Sequence, residues 1–396
     1  MLSKKALNIS PSPTLAISAK EKQMKSEGID VIGFGAGEPD FDTPDHIKEA
    51  AVKSIWDGFT KYTPAAGIPD LKKVICEKFK NDNGLEFSPN QIVISNGAKH
   101  SLDNIFAALL DPGDEVIIPA PYWVSYPEMV KLNDGVPVYI ETDSASCFKV
   151  TLEQLKNTLT PKTKALILNS PSNPTGQVYS REELEFVANF AVENNIYVIS
   201  DEVYEKIIYD QVEHISIASL GPEIKNLTIV VNAVSKTYSM TGWRIGYAAA
   251  PVELATAMGD IQSHLTSNPN SIAQKAAMAA ITGPQDDVEV MRKAFLERRD
   301  FMVSRVKEIP HLDCLIPSGS FYLFIEVGDT FGKNFRGKVI QDVDDFADHL
   351  LTGYQVALVP GSGFGSPDCV RLSFATSMKN IQEGLKRIED FARELS

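Results

Sequence analysis

Cysteine is scarce in this chain, with four in 396 residues, and no two of them are close enough to form a CxxC pair. This scarcity argues against a disulfide framework and a cysteine-rich zinc site, and it fits a reducing compartment. The six histidines also lack the spacing of metal ligands, so we expect no bound metal. The chemistry of this protein should therefore depend on neither disulfides nor metals.

Long apolar runs are missing as well. No stretch approaches the roughly 20 apolar residues that a membrane-spanning helix needs, and the opening MLSKKALNIS lacks the apolar core of a signal peptide. Acidic residues outnumber basic ones, so the net charge is −14 and the isoelectric point is about 5.0. That balance argues against a nucleic-acid partner bound through its phosphates. We expect a cytoplasmic protein.

Short β-branched runs alternate with longer helical patterns between about residues 90 and 250. The runs are IVIS at 92–95, EVIIP at 115–119, VPVYI at 136–140, ALILN at 165–169, YVIS at 197–200 and TIVV at 228–231. Strands with little polar alternation, separated by helices, predict an α/β fold with a mostly parallel sheet covered on both faces. In such sheets ligands bind outside the carboxyl ends of the strands.

The two ends of the chain differ from this central region. Residues 1–45 are rich in Pro, Gly and Asp, whereas the region from about residue 290 opens with a long charged helical pattern. Short strands around SGSFYLFIEV and QVALVPG follow that pattern. We therefore expect a large domain over residues 46–290 and a smaller domain built from residues 1–45 together with 291–396.

Polar side chains follow several of the predicted strands directly. Asp201 and Tyr204 come after YVIS, and Asn173 lies in the turn after ALILN. IVIS runs into the start of a helix, where the residues are Gly97, Ala98 and Lys99. Backbone N–H groups that follow a glycine at a helix start form an anion site. Because these positions share one edge of the sheet, we expect them to line one cleft.

The strand TIVVNAVS adds Ser235 and Lys236 to this cleft, and Arg244 follows in TGWRIG. This set of groups is complementary to pyridoxal 5′-phosphate. Ser235, Arg244 and the helix start suit its phosphate, and Asn173 and Tyr204 suit its phenolate oxygen. The buried acid Asp201 suits its protonated ring nitrogen, and the amine of Lys236 suits its aldehyde.

The sequence also resembles the class I aminotransferases of fold type I over nearly its whole length. The motifs that carry the resemblance are FGAGEPDFDTP at 34–44, YTPAAGIPDLKK at 62–73, PYWVSYP at 121–127, NPTG at 173–176, DEVY at 201–204, SKTYSMTGWRIGY at 235–247 and VRLSFATS at 370–377. The resemblance implies a mostly parallel seven-stranded sheet sandwiched by helices, and a smaller α+β domain formed by both termini. It further implies a homodimer with shared active sites.

The resemblance assigns roles to individual residues. Lys236 is the lysine that bonds to the cofactor, and it is predicted to be catalytic together with Asp201 and Tyr204. Further predicted contacts are Trp123 stacked on the cofactor ring, Arg371 as a bidentate clamp for the substrate α-carboxylate, Gly37 approaching the same carboxylate through its backbone, and Tyr62 reaching the phosphate in the neighbouring subunit.

Substrate identity follows from the bacterial aspartate aminotransferase subgroup that the chain resembles most. In that subgroup a lysine and an N-terminal threonine meet the distal carboxylate of the substrate, and Lys99 and Thr14 occupy those places here. Trp123 and Asn173 are also predicted to contact the substrate. The resemblance implies transfer of an amino group from an L-amino acid, with aspartate first, to 2-oxoglutarate.

Other activities share the same cofactor motifs. Aromatic, prephenate and alanine aminotransferases are alternatives, and a carbon–sulfur β-lyase is a further one. A non-catalytic regulator would carry a fused DNA-binding domain, for which we see no room before residue 30.

Overall fold

The strands are mostly short and fall into four sheets within residues 2–396, which a computed structural model describes. They are β1 (Ile32–Gly33), β2 (Ile92–Ser95), β3 (Glu115–Ala120), β4 (Val136–Glu141), β5 (Thr163–Asn169), β6 (Tyr197–Asp201), β7 (Thr228–Ala233), β8 (Gly246–Ala249), β9 (Asp313–Cys314), β10 (Tyr322–Glu326), β11 (Asn334–Phe335), β12 (Lys338–Val339), β13 (Val356–Ala357), β14 (Val359–Pro360) and β15 (Cys369–Ser373).

Helices cover the strands and supply most of the remaining regular structure. They are α1 (Lys4–Leu7), α2 (Pro13–Ser26), α3 (Asp45–Trp56), α4 (Pro69–Asn83), α5 (Ala98–Leu109), α6 (Ser125–Leu132), α7 (Leu152–Thr158), α8 (Arg181–Asn194), α9 (Pro222–Leu227), α10 (Val234–Thr237), α11 (Val252–Leu265), α12 (Ser271–Thr282), α13 (Asp286–Val306), α14 (Val343–Tyr354) and α15 (Met378–Glu394). In the part of the chain that the structure describes, none of them is both long and apolar enough to span a membrane.

The central sheet has seven strands in the order β2-β8-β7-β6-β5-β3-β4. The pairs from β7 across to β4 are parallel, and β8 runs antiparallel to both of its neighbours. Each of the runs predicted as a strand is a strand, whereas β8 was not predicted. The expected α/β fold with a mostly parallel seven-stranded sheet is therefore confirmed.

Local sequence explains where these elements begin and end. At the start of α8, Ser180 Oγ accepts a hydrogen bond from Glu183 N at 3.3 Å, while Glu183 Oε2 accepts one from Ser180 N at 2.7 Å. This reciprocal cap satisfies two backbone donors that the first turn leaves free. Asn195 ends the helix in a left-handed conformation with φ of 51°. The chain can then enter β6, whose apolar residues are buried between helices.

A second group of strands joins the two ends of the chain. The sheet β14-β15-β10-β9 is antiparallel, and β1 pairs in parallel with β13, so residues 32–33 lie beside residues 356–357. In the antiparallel sheet Arg371 stands opposite Phe324. The expected boundary between residues 290 and 291 falls inside α13. We still propose the division into a large and a smaller domain, with α13 carrying the chain from one to the other.

Candidate active site

A cavity of about 540 Å³ lies at the carboxyl ends of β6 and β7 and extends to β15. This volume is in the range of about 300 to 1,000 Å³ that small-molecule sites occupy. The predicted site residues that line it are Thr14, Gly37, Ala98, Lys99, Trp123, Asn173, Asp201, Tyr204, Ser235, Lys236, Arg244 and Arg371. Gly97 and Tyr62 are the predicted site residues outside this lining.

Asp201 ends β6 with a buried carboxylate. Its side chain accepts a hydrogen bond from Tyr126 Oη at 2.7 Å and a longer one from the backbone N–H of Val203 at 3.4 Å. Burial raises the pKa of Asp201 to about 6, and the hydrogen bond from Tyr126 opposes that rise. Without a bound cation the carboxylate is therefore under-compensated at neutral pH.

Lys236 follows β7 on the short helix α10. Its ammonium donates a hydrogen bond to the carbonyl oxygen of Gly37. Burial lowers the pKa of Lys236 to about 8, and the charges of Arg244 and Arg371 act in the same direction. A lysine with this pKa is neutral in a useful fraction of molecules near neutral pH, which nucleophilic and proton-transfer chemistry both require.

The N-terminus of α5 and the turn after α10 form a narrow cradle built on two glycines. A Cβ at Gly246 would lie 2.2 Å from the backbone nitrogen of Ala98, and a Cβ at Gly97 would lie 2.3 Å from Arg244 Nη2. Gly97 also has φ of +85°. Arg244 is held by a hydrogen bond from Nη1 to the carbonyl oxygen of Thr241 at 2.9 Å. These close approaches place the N-terminus of α5 beside the Arg244 guanidinium, and Ala98, Ser235 and Arg244 line the same cavity, a set of donors suited to an anion.

Arg371 is a buried guanidinium, with 2% of its surface exposed. It donates to Asn173 Oδ1 at 2.9 Å and to the carbonyl oxygen of Gly35 at 3.0 Å. Its Nε–H has no hydrogen-bond partner, and within residues 2–396 no carboxylate forms an ion pair with it. Burial accordingly lowers the pKa of Arg371. A buried cation with a free donor is an incomplete site for an anion.

Two tyrosines support this arrangement, and sequence reasoning missed both. Tyr126 bonds to Asp201, and Tyr322 Oη lies 3.1 Å from Tyr204 Oη. The Tyr322 ring also lies beneath the Arg371 guanidinium, 4.3 Å from its central carbon. Tyr126 belongs to the PYWVSYP motif, so its place in that motif was a usable signal. No comparable signal marked Tyr322.

Trp123 and Lys99 form the wall nearest α5. The Lys99 ammonium lies 4.9 Å from the centre of the Trp123 ring, and Tyr126 meets that ring edge-on at 5.3 Å. Partial burial lowers the pKa of Lys99, with a contribution from Arg244. Thr14 lies on the N-terminal helix α2, with its hydroxyl 2.9 Å from Ser12 Oγ. The structure thus brings Lys99 from α5 and Thr14 from α2 to one cavity.

Tyr62 is not brought into the cavity of its own chain. It is 91% exposed. Its predicted contact was with a neighbouring subunit, and an exposed ring is what such a contact requires. The role of Tyr62 stays a prediction.

A buried ionic cluster, also missed from sequence, lies next to Asp201 in the chain. Glu202, Glu205 and His214 form the only grouping with metal-ligand geometry among the described residues. Glu202 Oε2 lies 3.1 Å from His214 Nε2. Glu205 is paired with the buried ammonium of Lys78. Burial opposes ionisation of Glu205, but the Lys78 charge, the neighbouring His214 and the hydrogen bonds from Lys78 and Asn83 together hold the pKa of Glu205 low. Lys78 therefore supplies the positive charge of this cluster.

Asp201→Asn should stabilise the ligand-free protein at alkaline pH. The difference between a folded pKa of about 6 and the ordinary value of 3.8 corresponds to roughly 3 kcal/mol. Because the folded-state pKa is raised, ionisation penalises folding as pH rises from 3.8 through 6. The gain in free energy of unfolding should therefore be larger at pH 8 than at pH 5, as measured by denaturant titration. Asp260→Asn, at an exposed carboxylate, is the control. A gain from Asp201→Asn that is independent of pH would contradict the prediction.

Comparisons with known proteins agree with this geometry. The sequence profile described as aminotransferase class I and II matches residues 29–388. An aspartate aminotransferase from Bacillus sp. (strain YM-2) is 54% identical over 393 residues, with 99% of each chain covered. An aspartate/prephenate aminotransferase from Nitrosomonas europaea is 48% identical, with 98% of each covered. The crystal structure of the aspartate aminotransferase from Rhizobium meliloti superimposes with a TM-score of 0.97 at 44% identity, covering 100% of both chains. The chain therefore belongs to the family of class I and II aminotransferases.

Proposed function

We propose that the protein uses pyridoxal 5′-phosphate to transfer the amino group of L-aspartate to 2-oxoglutarate. The observation that carries this proposal is the buried, uncompensated guanidinium of Arg371 in the same cavity as Lys236 and Asp201. A planar guanidinium is suited to a carboxylate, and an amine beside an under-compensated acid is suited to a cationic aromatic aldehyde. One cavity thus contains a group suited to the substrate carboxylate and groups suited to the cofactor.

The lining groups fit this cofactor one by one. Ser235, Arg244 and the N-terminus of α5 would hold its phosphate. Asp201 would keep a proton on its ring nitrogen, because the buried carboxylate gains most from an adjacent positive charge. Tyr204 and the side-chain amide of Asn173 would donate to its ring oxygen. Bound there, the cofactor supplies an electron sink for the charge left when the substrate loses its α-proton.

The remaining work belongs to two side chains. Arg371 orients the amino acid through its α-carboxylate, with the free Nε–H as one of the donors. Lys236 would hold the cofactor through its amine, and the same amine would accept the α-proton as a general base and return it as a general acid. Its pKa of about 8 suits both directions of proton transfer near neutral pH. Trp123 covers one side of the reaction space and limits the access of water.

Acid recognition would come from Lys99 and Thr14. Both line the cavity, and the Trp123 ring holds the Lys99 ammonium on the cavity wall. The relatives with whole-length similarity carry aspartate or aspartate/prephenate in their names, which supports a dicarboxylic substrate for this chain.

We further propose a cytoplasmic homodimer in which Tyr62 of the partner subunit completes the phosphate site. The exposed apolar side chains of α3 support an interface, since Val52, Ile55 and Trp56 are 52%, 50% and 85% exposed. The four cysteines are all free, which suits a reducing compartment.

An amino-donor panel with 2-oxoglutarate tests the reaction. The wild-type protein should form glutamate fastest from aspartate, ahead of alanine and aromatic amino acids, with prephenate included as an alternative acceptor. Lys236→Ala should lower kcat by roughly 10³-fold or more, because both the attachment and the proton transfer are lost. Circular dichroism should show that this variant is folded. Acceptor-independent release of pyruvate and ammonia from cystathionine would indicate a β-lyase instead and contradict the proposal.

Lys99→Ala tests the dicarboxylic preference. The ratio of kcat/KM for aspartate to that for alanine should fall about tenfold, because a charge-assisted hydrogen bond of about 1.4 kcal/mol is lost only with the acid. Lys73→Ala removes an exposed lysine outside the cavity and serves as the matched control. An unchanged ratio in Lys99→Ala would remove the reason for placing aspartate first.

Light scattering tests the assembly. The measured mass should be twice the chain mass of 43.4 kDa, and Trp56→Asp should shift it toward the monomer by placing a charge in the interface. Tyr62→Phe should weaken cofactor binding without changing the mass, because only one hydroxyl is removed. A stable monomer, or a Tyr62→Phe variant that binds the cofactor as tightly as wild type, would oppose the shared site.

A further inference from the structure

Helix α2 lines the cavity with one of its faces. The residues that do so are Thr14, Leu15, Ser18, Glu21 and Lys22, whose spacing of about one helical turn places them on one side. None of the residues of α2 is fully buried, and Leu15 remains 69% exposed. This face of the helix is therefore turned toward the space where a substrate would lie rather than toward a packed core.

Cations outnumber anions on the cavity wall. The cationic lining residues are Lys22, Lys99, Lys236, Arg244 and Arg371, and the acidic ones are Glu21, Glu38 and Asp201. Two of the acids already have partners, since Glu21 pairs with Lys25 at 2.6 Å and Glu38 accepts a hydrogen bond from Thr241 at 2.6 Å. A doubly charged acid and a phosphate are the ligands that such an excess favours.

Lys22 is the cation of this set without an established task. Among the described residues it forms no hydrogen bond and no ion pair, although its neighbours on α2 do. Arg244 and Arg371 are held by neighbouring carbonyl and amide groups, and Lys99 is positioned over Trp123. The Lys22 ammonium is therefore free to move to a ligand on its flexible four-carbon stem.

We propose that Lys22 is a second specificity-determining cation for the distal carboxylate, and that it serves mainly the longer of the two acids. This inference rests on the proposed function. Transfer from aspartate to 2-oxoglutarate requires one site to accept two acids whose chains differ in length by a methylene. Because Arg371 holds the α-carboxylate of both acids in the same place, their distal carboxylates lie at different distances from it. Lys99, positioned on the Trp123 ring, suits one distance. Lys22 lines the α2 wall without a partner among the described residues and moves on a flexible stem, so we assign the longer acid to it.

Binding of unreactive carboxylates to the cofactor-loaded protein tests this assignment. Succinate, glutarate and butyrate serve as the four-carbon diacid, the five-carbon diacid and the monoacid. In Lys22→Ala the Kd for glutarate, relative to that for butyrate, should rise about fivefold, as expected for one partly exposed ion pair. The corresponding rise for succinate should be smaller. The ratio of kcat/KM for 2-oxoglutarate to that for oxaloacetate should fall in parallel.

Two variants control for effects on the helix itself. Lys22→Arg keeps the charge and should keep the glutarate preference. Lys20→Ala removes a lysine of α2 that points away from the cavity to Asp348, at 3.2 Å, and should not alter the relative affinities. A Lys22→Ala protein with unchanged relative affinities overturns the inference, and so does one that loses succinate, glutarate and butyrate equally. If the wild-type protein transaminates neither acid, the proposed function fails first, and this inference falls with it.

Discussion

A buried negative charge at the end of β6 sets the conditions for the residues around it. Asp201 has one strong hydrogen bond, from Tyr126, and among residues 2–396 it forms no ion pair, although the charge of Lys236 favours its ionisation slightly. A buried carboxylate in this position destabilises the fold unless a positive charge lies next to it. The same imbalance appears with opposite sign at Arg371, whose Nε–H has no hydrogen-bond partner and whose guanidinium forms no ion pair with any described carboxylate. The cavity therefore contains one under-compensated negative charge and one under-compensated positive charge, and ligands of opposite charge would neutralise them.

The sheet explains how such groups can be held apart without neutralising each other. Asp201, Lys236 and the start of α5 stand at the same edge because β2, β6 and β7 all run in one direction, with β8 inserted antiparallel between β2 and β7. Arg371 comes from a different sheet and approaches the edge from outside. Rigid strands fix each charge at its own place, so the attraction between Asp201 and Arg371 cannot collapse the site.

Much of this could be predicted from the sequence, because local pattern carries it. Apolar runs such as ALILN and YVIS marked the buried parallel strands, and the polar residue after each run marked the cavity edge. β8 was missed because GYAA has no β-branched residue, and its place depends on pairing with β2 and β7. The bond from Tyr126 to Asp201 joins residues 75 positions apart, so only the folded chain reveals it. The ion pair between Lys78 and Glu205 also joins residues that are distant in the sequence, so it too is seen only in the folded chain.

The cluster behind Asp201 shows why an acidic motif such as DEVYE needs the fold for its interpretation. Asp201, the last residue of β6, lines the cavity, whereas Glu202, which follows the strand, is not among the lining residues. Glu202 is then satisfied by Ser200, Ser216 and His214, and Glu205 by Lys78 and Asn83. Glu205 is paired with a cation and Glu202 with a histidine, whereas the partners of Asp201 are the Tyr126 hydroxyl and a backbone N–H. The acid whose charge is uncompensated by the protein is the one available to a ligand, and that difference separates the functional carboxylate from its structural neighbours.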